Sequence, residues 1–244
     1  RFTVKRAVPL CLYAAACLLV ALALARPRQG QEEMLQRAEG IDIMIAIDLS
    51  GSMAATDVPG SIKSERQLLS ALNSGALKSR LSIAKEEIRK FIEARPNDRI
   101  GLIAFAQLPY VVCPPTLDHG QLAANIERLE PGLIGDATGI AGPIASAVQR
   151  LKDSESKRRI VVLFTDGSNN VNAQATPRQA AKLADTFNVA VYTVGIGTSR
   201  AYVMQKNLFG YLNAIALDHQ FDEKLLQDIA SSSGGRYYRA ADAE

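Results

Sequence analysis

The sequence predicts an α/β domain with a Rossmann-like architecture, in which a mostly parallel, six-stranded sheet carries helices on both faces. Short apolar runs rich in β-branched residues alternate with longer segments of helical periodicity. This alternation fills the chain between residues 41 and 240. The segment that connects one pair of strands is too short for a crossover connection, so we expect one short antiparallel edge strand.

The predicted strands are short apolar runs of the kind that a sheet buries on both faces. The run at 159–165 (RIVVLFT) is the most strand-like segment of the chain. Pro109 marks a tight connection before 110–113, which we predict to be the antiparallel edge strand. The other strands are predicted at 41–48, 100–106, 189–195 and 236–239.

Amphipathic helices are predicted between these strands. Apolar residues recur at helical spacing through 81–92, and Pro96 follows the end of that helix. Thr176 is a typical N-cap, and Pro177 suits the first helical position of a helix that runs to 187. Further helices are predicted at 120–129, 140–151 and 221–231.

Two segments are longer than the loops of a compact α/β unit usually are. They cover about 54–78 and 199–219, and we interpret both as insertions at the rim of the sheet. Leu68, Leu69 and Leu72 indicate a short helix within the first insertion.

The first residues of the chain predict a membrane anchor. Residues 7–25 contain no charge, and Arg6 and Arg26 flank them. As a helix they would span about 28 Å, close to the hydrocarbon thickness of a bilayer. A cleaved signal peptide and a buried helix are the alternatives. We therefore divide the chain into a transmembrane helix with basic flanks (1–28), a juxtamembrane linker (29–40) and one domain (41–240).

The distribution of charge argues against nucleic-acid binding. The chain has a net charge of +3, but residues 1–28 contain five bases and no acid. The remainder has 23 Lys and Arg against 25 Asp and Glu, and its basic residues are scattered. Because nucleic-acid binding needs a clustered basic face, no such partner is expected.

Oxygen-bearing side chains follow two of the predicted strands. Asp48 ends the first strand, with Ser50 and Ser52 at the next alternate positions, and Asp166 follows the strand at 159–165. Thr138 lies in a loop just before a helix. The carboxyl ends of parallel strands meet at one rim, where such folds place their sites. Oxygen ligands without His or Cys select a hard cation, so we expect Mg²⁺ or Mn²⁺, with Ca²⁺ less favoured.

Asp48-x-Ser50-x-Ser52, followed by Thr138 and Asp166, resembles the metal-ion-dependent adhesion site (MIDAS) of von Willebrand factor A (VWA) domains. The resemblance extends over about 41–239. It implies that the first four of these residues contact the metal directly or through water, and that Asp166 often does so through water. It also implies that the remaining coordination position accepts an Asp or Glu from a partner protein.

Several stretches more closely resemble the membrane-bound VWA proteins of the Bacteroides aerotolerance group (BatA/BatB-like): ALALARP, DRIGLIAFA, VVCPPTLD, TDGSNN, VYTVGIGT and GGRYYRA. The resemblance implies a bacterial inner-membrane protein with a further membrane helix beyond Glu244. The basic residues at the visible start of the chain favour a cytoplasmic N-terminus and thus a periplasmic domain. The implied partners are a MoxR-type AAA+ ATPase and other VWA proteins of the same operon, in an envelope, stress or chaperone-like complex. The 54–78 insertion departs from the shorter loop of the family.

Two other functions are alternatives to metal-dependent protein binding. A Mg²⁺-dependent hydrolase of the haloacid dehalogenase type also places an Asp at the end of its first strand. It needs a general acid two residues later, where this chain has Ser50.

Cys113 and His119 are more often a structural thiol and a loop histidine than a catalytic pair. His219 is interpreted as a surface residue. The other alternative is a structural membrane scaffold with a vestigial site. We predict a binding protein rather than an enzyme.

Overall fold

The computed structural model describes residues 9, 12–20, 40–59, 62, 64–74, 77–171, 175–198, 200–206, 212–217 and 221–240. The chain divides into two compact units, Arg1–Arg37 and Ala38–Glu244. Within the described ranges, no helix combines the length and the apolar character that a membrane crossing needs. Much of the predicted anchor at 7–25 and the linker up to residue 39 lie outside those ranges. The domain limits stay a prediction.

The second unit alternates strands and helices along the chain. In order, it contains β1 (Asp42–Asp48), a 3-10 helix (Gly51–Ala54), β2 (Thr56–Asp57), α1 (Glu65–Asn73), α2 (Arg80–Glu93), β3 (Arg99–Phe105), β4 (Pro109–Thr116), α3 (His119–Glu127), α4 (Ala141–Leu151), β5 (Arg159–Thr165), α5 (Pro177–Thr186), β6 (Val189–Gly195), β7 (Ala201–Lys206), β8 (Leu212–Leu217), α6 (Glu223–Ser232) and β9 (Tyr237–Arg239).

The main sheet has six strands in the order β4-β3-β1-β5-β6-β9. All neighbouring pairs are parallel except β3 and β4, so the sheet is mixed, with its antiparallel strand at one edge. That strand has eight residues, twice the predicted length of 110–113. Pro114 and Pro115 lie within it, and an edge strand accommodates proline because half of its N–H groups need no partner.

One face of the main sheet packs against α2 and α3. Ile43, Ile45 and Ile47 of β1 belong to one buried apolar cluster with Ile88 of α2 and Ile126 of α3. These side chains alternate along the strand, as the pleat of a β-strand requires. Each large aliphatic side chain contributes about 1.5–3 kcal/mol when it is fully buried.

The opposite face packs against α4, α5 and α6. Met44 and Ala46, the intervening residues of β1, belong to a second cluster with Ile144, Ala181 and Ile229. Helices therefore cover both faces, as predicted. Since β1 is buried on both sides at the centre of the sheet, its carboxyl end is held firmly in place.

The two rim insertions form a second, three-stranded antiparallel sheet in the order β2-β7-β8. In this sheet Thr56 pairs with Tyr202, and Asp57 pairs with Ala201. The first insertion also contains α1, which confirms the helix predicted around Leu68. The second sheet was not predicted, because β2 has two residues and its partner strand is far away in sequence.

Candidate metal centre

The segment after β1 folds into a tight turn that gathers three oxygen-bearing side chains. The backbone N–H of Ser50 donates to Oδ1 of Asp48 at 2.8 Å. A 3-10 helix follows, begun by a hydrogen bond from the N–H of Met53 to the carbonyl of Ser50. The hydroxyls of Ser50 and Ser52 lie 3.1 Å apart. Asp48 and Ser50 are fully buried, and Ser52 is half-buried.

The end of β5 brings a second carboxylate to this turn. The hydroxyl of Thr165 donates to Oδ2 of Asp48 at 2.6 Å, and Asp166, the next residue, is fully buried. Burial and the negative charge of Asp166 raise the pKa of Asp48 from 3.8 to about 7, although hydrogen bonds from Thr165 and Ser50 act in the opposite direction. Two carboxylates that repel each other in a buried site favour a bound cation.

Ser168 links the second carboxylate to Thr138. Its hydroxyl lies 3.3 Å from Oδ1 of Asp166 and 3.3 Å from the hydroxyl oxygen of Thr138. Thr138 is buried in the loop before α4. Loops at the carboxyl ends of β1 and β5 therefore carry the predicted ligands to one rim of the sheet, together with the loop that precedes α4.

Two asparagines hold the Thr138 loop in place. Oδ1 of Asn170 accepts a hydrogen bond from the N–H of Thr138 at 2.7 Å, and Oδ1 of Asn169 accepts one from the N–H of Ile140 at 3.1 Å. The N–H of Asn170 in turn donates to the carbonyl of Thr138. Sequence reasoning gave these asparagines and Ser168 no role. Their signal was a run of polar residues directly after Thr165-Asp166-Gly167, at the end of a strand.

A buried arginine is the main feature that the sequence did not reveal. Arg80 begins α2 and is fully buried, with Nη1 3.0 Å from Oδ2 of Asp166. Nε and Nη2 each donate to a carboxylate oxygen of Asp57 at 3.0 Å. Burial lowers the pKa of Arg80, but the two carboxylates outweigh burial and raise it. A cation in the first turn of a helix interacts unfavourably with the helix dipole. An arginine at this position was therefore the sequence feature that indicated acidic partners nearby.

The donor set fits a hard divalent cation. Two carboxylates and three hydroxyls supply oxygen atoms alone, the ligands that Mg²⁺ and Mn²⁺ prefer. Among the residues that the structure describes, no cluster of three or more His, Cys, Asp or Glu side chains could hold a metal. A metal at this rim would therefore depend on the hydroxyls of Ser50, Ser52 and Thr138 as much as on Asp48 and Asp166. The assignment of these five residues as ligands stays a prediction.

Cys113 and His119, the two residues considered as a catalytic pair, both have structural environments. Cys113 belongs to the apolar cluster beneath α2 and α3, and burial raises the pKa of its thiol. Nε2 of His119 is hydrogen-bonded to the backbone carbonyl of Asp98 at 2.9 Å. His219 lies outside the described residues.

Comparison with known proteins defines the class to which this fold belongs. Residues 43–169, about half of the chain, match the family model of the von Willebrand factor type A domain. The chain belongs to the VWA domain family.

Its relatives include proteins of the Bacteroides aerotolerance group. An aerotolerance-related membrane protein from Bacteroides fragilis is 27% identical, with a TM-score of 0.65 over 84% of this chain and 92% of that one. BatB from Bacteroides thetaiotaomicron is 26% identical, with the same TM-score and coverage. The resemblance to BatA/BatB-like proteins is thereby confirmed.

An uncharacterized protein from Borreliella burgdorferi is 32% identical over 232 residues, or 95% of this chain. The chain spans 62% of the length of that relative. The fold is also shared with a mussel byssus protein, proximal thread matrix protein 1, whose structure has a zinc-occupied MIDAS motif. That protein is 18% identical, with a TM-score of 0.54 over 83% of this chain and 42% of that one.

Proposed function

We propose that this domain binds a divalent cation through Asp48, Ser50, Ser52, Thr138 and Asp166, and that the ion binds an acidic side chain of a protein partner. One observation carries the proposal. Two fully buried carboxylates and three hydroxyls are gathered at one rim of the sheet by the loops that follow β1 and β5 and precede α4.

Hydrogen bonds orient the residues of the rim. Each oxygen of Asp48 accepts one, from the N–H of Ser50 and from the hydroxyl of Thr165. Thr138 is fixed by Asn170. A bound divalent cation would neutralise the two carboxylates and offer positive charge to a carboxylate from outside. Mg²⁺ and Mn²⁺ are the proposed ions, and the zinc-occupied site in a protein of the same fold supports a divalent cation.

The chemistry proposed for this rim is binding rather than catalysis. A phosphatase of the haloacid dehalogenase type would need a general acid two residues after Asp48. That position holds Ser50, whose hydroxyl lies against Ser52.

The proposed location is the bacterial inner membrane, with the VWA domain in the periplasm. The aerotolerance-related membrane protein of Bacteroides fragilis supports a membrane location, as does the uncharged segment at 7–25. The proposed partners are a MoxR-type AAA+ ATPase and other VWA proteins of the same operon, one of which would supply the Asp or Glu that reaches the metal.

Affinity capture tests the proposal. The full chain in detergent serves as bait for a native membrane extract in Mg²⁺ and in EDTA, beside D48A in Mg²⁺. We expect a partner to be recovered with the wild-type chain in Mg²⁺ and to be lost in the other two conditions. D153A is the matched control, because the Asp153 side chain is 86% exposed, and it should capture as the wild type does. Equal capture in EDTA would favour a metal-independent scaffold instead.

A further inference from the structure

The guanidinium of Arg80 is a fully buried cation that contacts Asp166, a proposed metal ligand. It donates to Asp166 through Nη1 and to Asp57 through Nε and Nη2. Nη2 also donates to the carbonyl of Thr198 at 2.9 Å. Because the contacts of Arg80 with both carboxylates are buried, solvent does little to screen its charge there.

The turn after β6 packs closely against the guanidinium. Gly197 has a φ of +111°, and a Cβ at this position would lie 2.4 Å from Nε of Arg80. The N–H and the hydroxyl of Thr198 both donate to Oδ1 of Asp57, at 2.7 and 3.0 Å. Arg80 is therefore fixed between β2, the turn after β6 and the end of β5.

This placement divides the two oxygens of Asp166 between different neighbours. Oδ2 faces Arg80, whereas Oδ1 lies 3.3 Å from the hydroxyl of Ser168, which also contacts Thr138. Arg80 thus contacts the carboxylate oxygen of Asp166 that lies on the side of the second sheet. The other oxygen lies on the side of the remaining proposed ligands.

We infer that Arg80 is a positioning residue that sets the charge, and thereby the metal affinity, of the site, an inference that rests on the proposed function. The positive charge of Arg80 weakens the electrostatic attraction between Asp166 and a bound cation. The cation therefore keeps more of its attraction for a partner's carboxylate. Asp57 offsets part of this charge from the far side. The second sheet, through Asp57, therefore contributes to metal affinity without supplying a ligand.

Metal titrations of two variants test the inference. D57N leaves the charge of Arg80 less compensated, whereas D57N/R80M removes the buried pair and keeps Asp166. We expect D57N to bind Mg²⁺ about tenfold more weakly than the wild-type chain, from the Coulomb energy of one partly screened charge. The double variant should bind about tenfold more tightly than D57N. If Arg80 and Asp57 only held the fold together, removing both side-chain charges would not restore the Mg²⁺ affinity that D57N loses.

The titrations use the full chain in detergent, with calorimetry for Mg²⁺ and electron paramagnetic resonance for Mn²⁺. Far-UV circular dichroism confirms that each variant is folded.

If D57N does not fold, R80K replaces it as the test variant, because lysine keeps the positive charge but lacks the planar guanidinium of arginine. R80K should then bind Mg²⁺ within about twofold of the wild type, and a larger change would overturn the inference. A wild-type chain that binds no metal overturns the proposed function itself. A wild-type chain that binds, with a double variant no tighter than D57N, overturns the role of Arg80 alone.

Discussion

The hydroxyl of Thr165 lies 2.6 Å from Oδ2 of Asp48 and donates a hydrogen bond to it, joining the ends of β5 and β1 inside the candidate metal site. The same hydroxyl oxygen accepts a hydrogen bond from the N–H of Gly167 at 3.2 Å. Thr165 therefore fixes Asp48 and also the turn that follows Asp166. This single side chain therefore connects the Asp48 carboxylate to the turn that carries the second carboxylate.

Thr165→Val is expected to lower the free energy of unfolding by about 1–3 kcal/mol, because a buried carboxylate oxygen and a buried N–H each lose a partner. Urea denaturation of the full chain in detergent measures the change. The control is Thr186→Val, which removes an exposed hydroxyl at the end of α5 and should cost less than about 0.5 kcal/mol. Equal losses in the two variants would contradict the role of Thr165.

The stability of the metal-free protein should depend on pH through Asp48. Burial and the charge of Asp166 raise its pKa to about 7 in the folded protein, against about 4 in an unfolded chain. The folded state therefore binds this proton more tightly. The resulting stabilisation is complete below about pH 4 and is lost as the pH rises through 7.

In EDTA, the free energy of unfolding of the wild type should fall between pH 4 and 7, relative to Asp48→Asn, by roughly 3 kcal/mol. Urea titrations at several pH values measure both proteins. Other carboxyl groups titrate in this range, and the comparison with the variant removes most of their contribution. Parallel profiles for the two proteins would show that Asp48 has an ordinary pKa.

Asn170→Ala should weaken metal binding without unfolding the domain. Its Oδ1 accepts the N–H of Thr138, so the loop that carries a proposed ligand loses its anchor. Because Asn170 is exposed, the cost in stability should be about 1 kcal/mol. We expect Mg²⁺ affinity, measured by calorimetry, to fall by about tenfold, the lower end of effects seen when ligand-orienting groups are removed. Asn125→Ala, on the exposed face of α3, should bind Mg²⁺ as the wild type does.

Two glycines with positive φ should respond differently to alanine. At Gly197 a Cβ would lie 2.4 Å from Nε of Arg80, whereas at Gly234 no atom lies within 4 Å. Gly234→Ala should therefore cost only the backbone strain, about 1–2 kcal/mol. Gly197→Ala should cost about 2–5 kcal/mol, because displacement of the guanidinium adds to that strain. Thermal unfolding compares the two, and a similar loss in both would show that Arg80 adapts freely.

The sequence predicted those parts of the fold that local patterns encode. The strands at 159–165 and 189–195 have the predicted limits, since buried parallel strands are continuous apolar runs bounded by polar residues. Thr176 and Gln179 form a capping box, which is also a short-range pattern. Such short-range patterns could not predict the second sheet, because the pairing of Asp57 with Ala201 joins two separate insertions.

The same distinction applies to the candidate site. Spacing placed Asp48, Ser50 and Ser52 in one turn, and parallel strand ends explained the approach of Asp166. The contacts of Arg80 could not be predicted, because they join α2 to segments that are distant in sequence. Their only local sign was a basic residue at the start of a helix.

Calorimetric titration of the full chain in detergent with Mg²⁺ and Mn²⁺, beside Asp48→Ala, tests most directly whether this rim holds a metal. We expect each ion to bind the wild-type chain at one site and to give no binding heat with the variant. An absence of binding heat in the wild type, or equal heat in both proteins, would contradict the proposed metal centre.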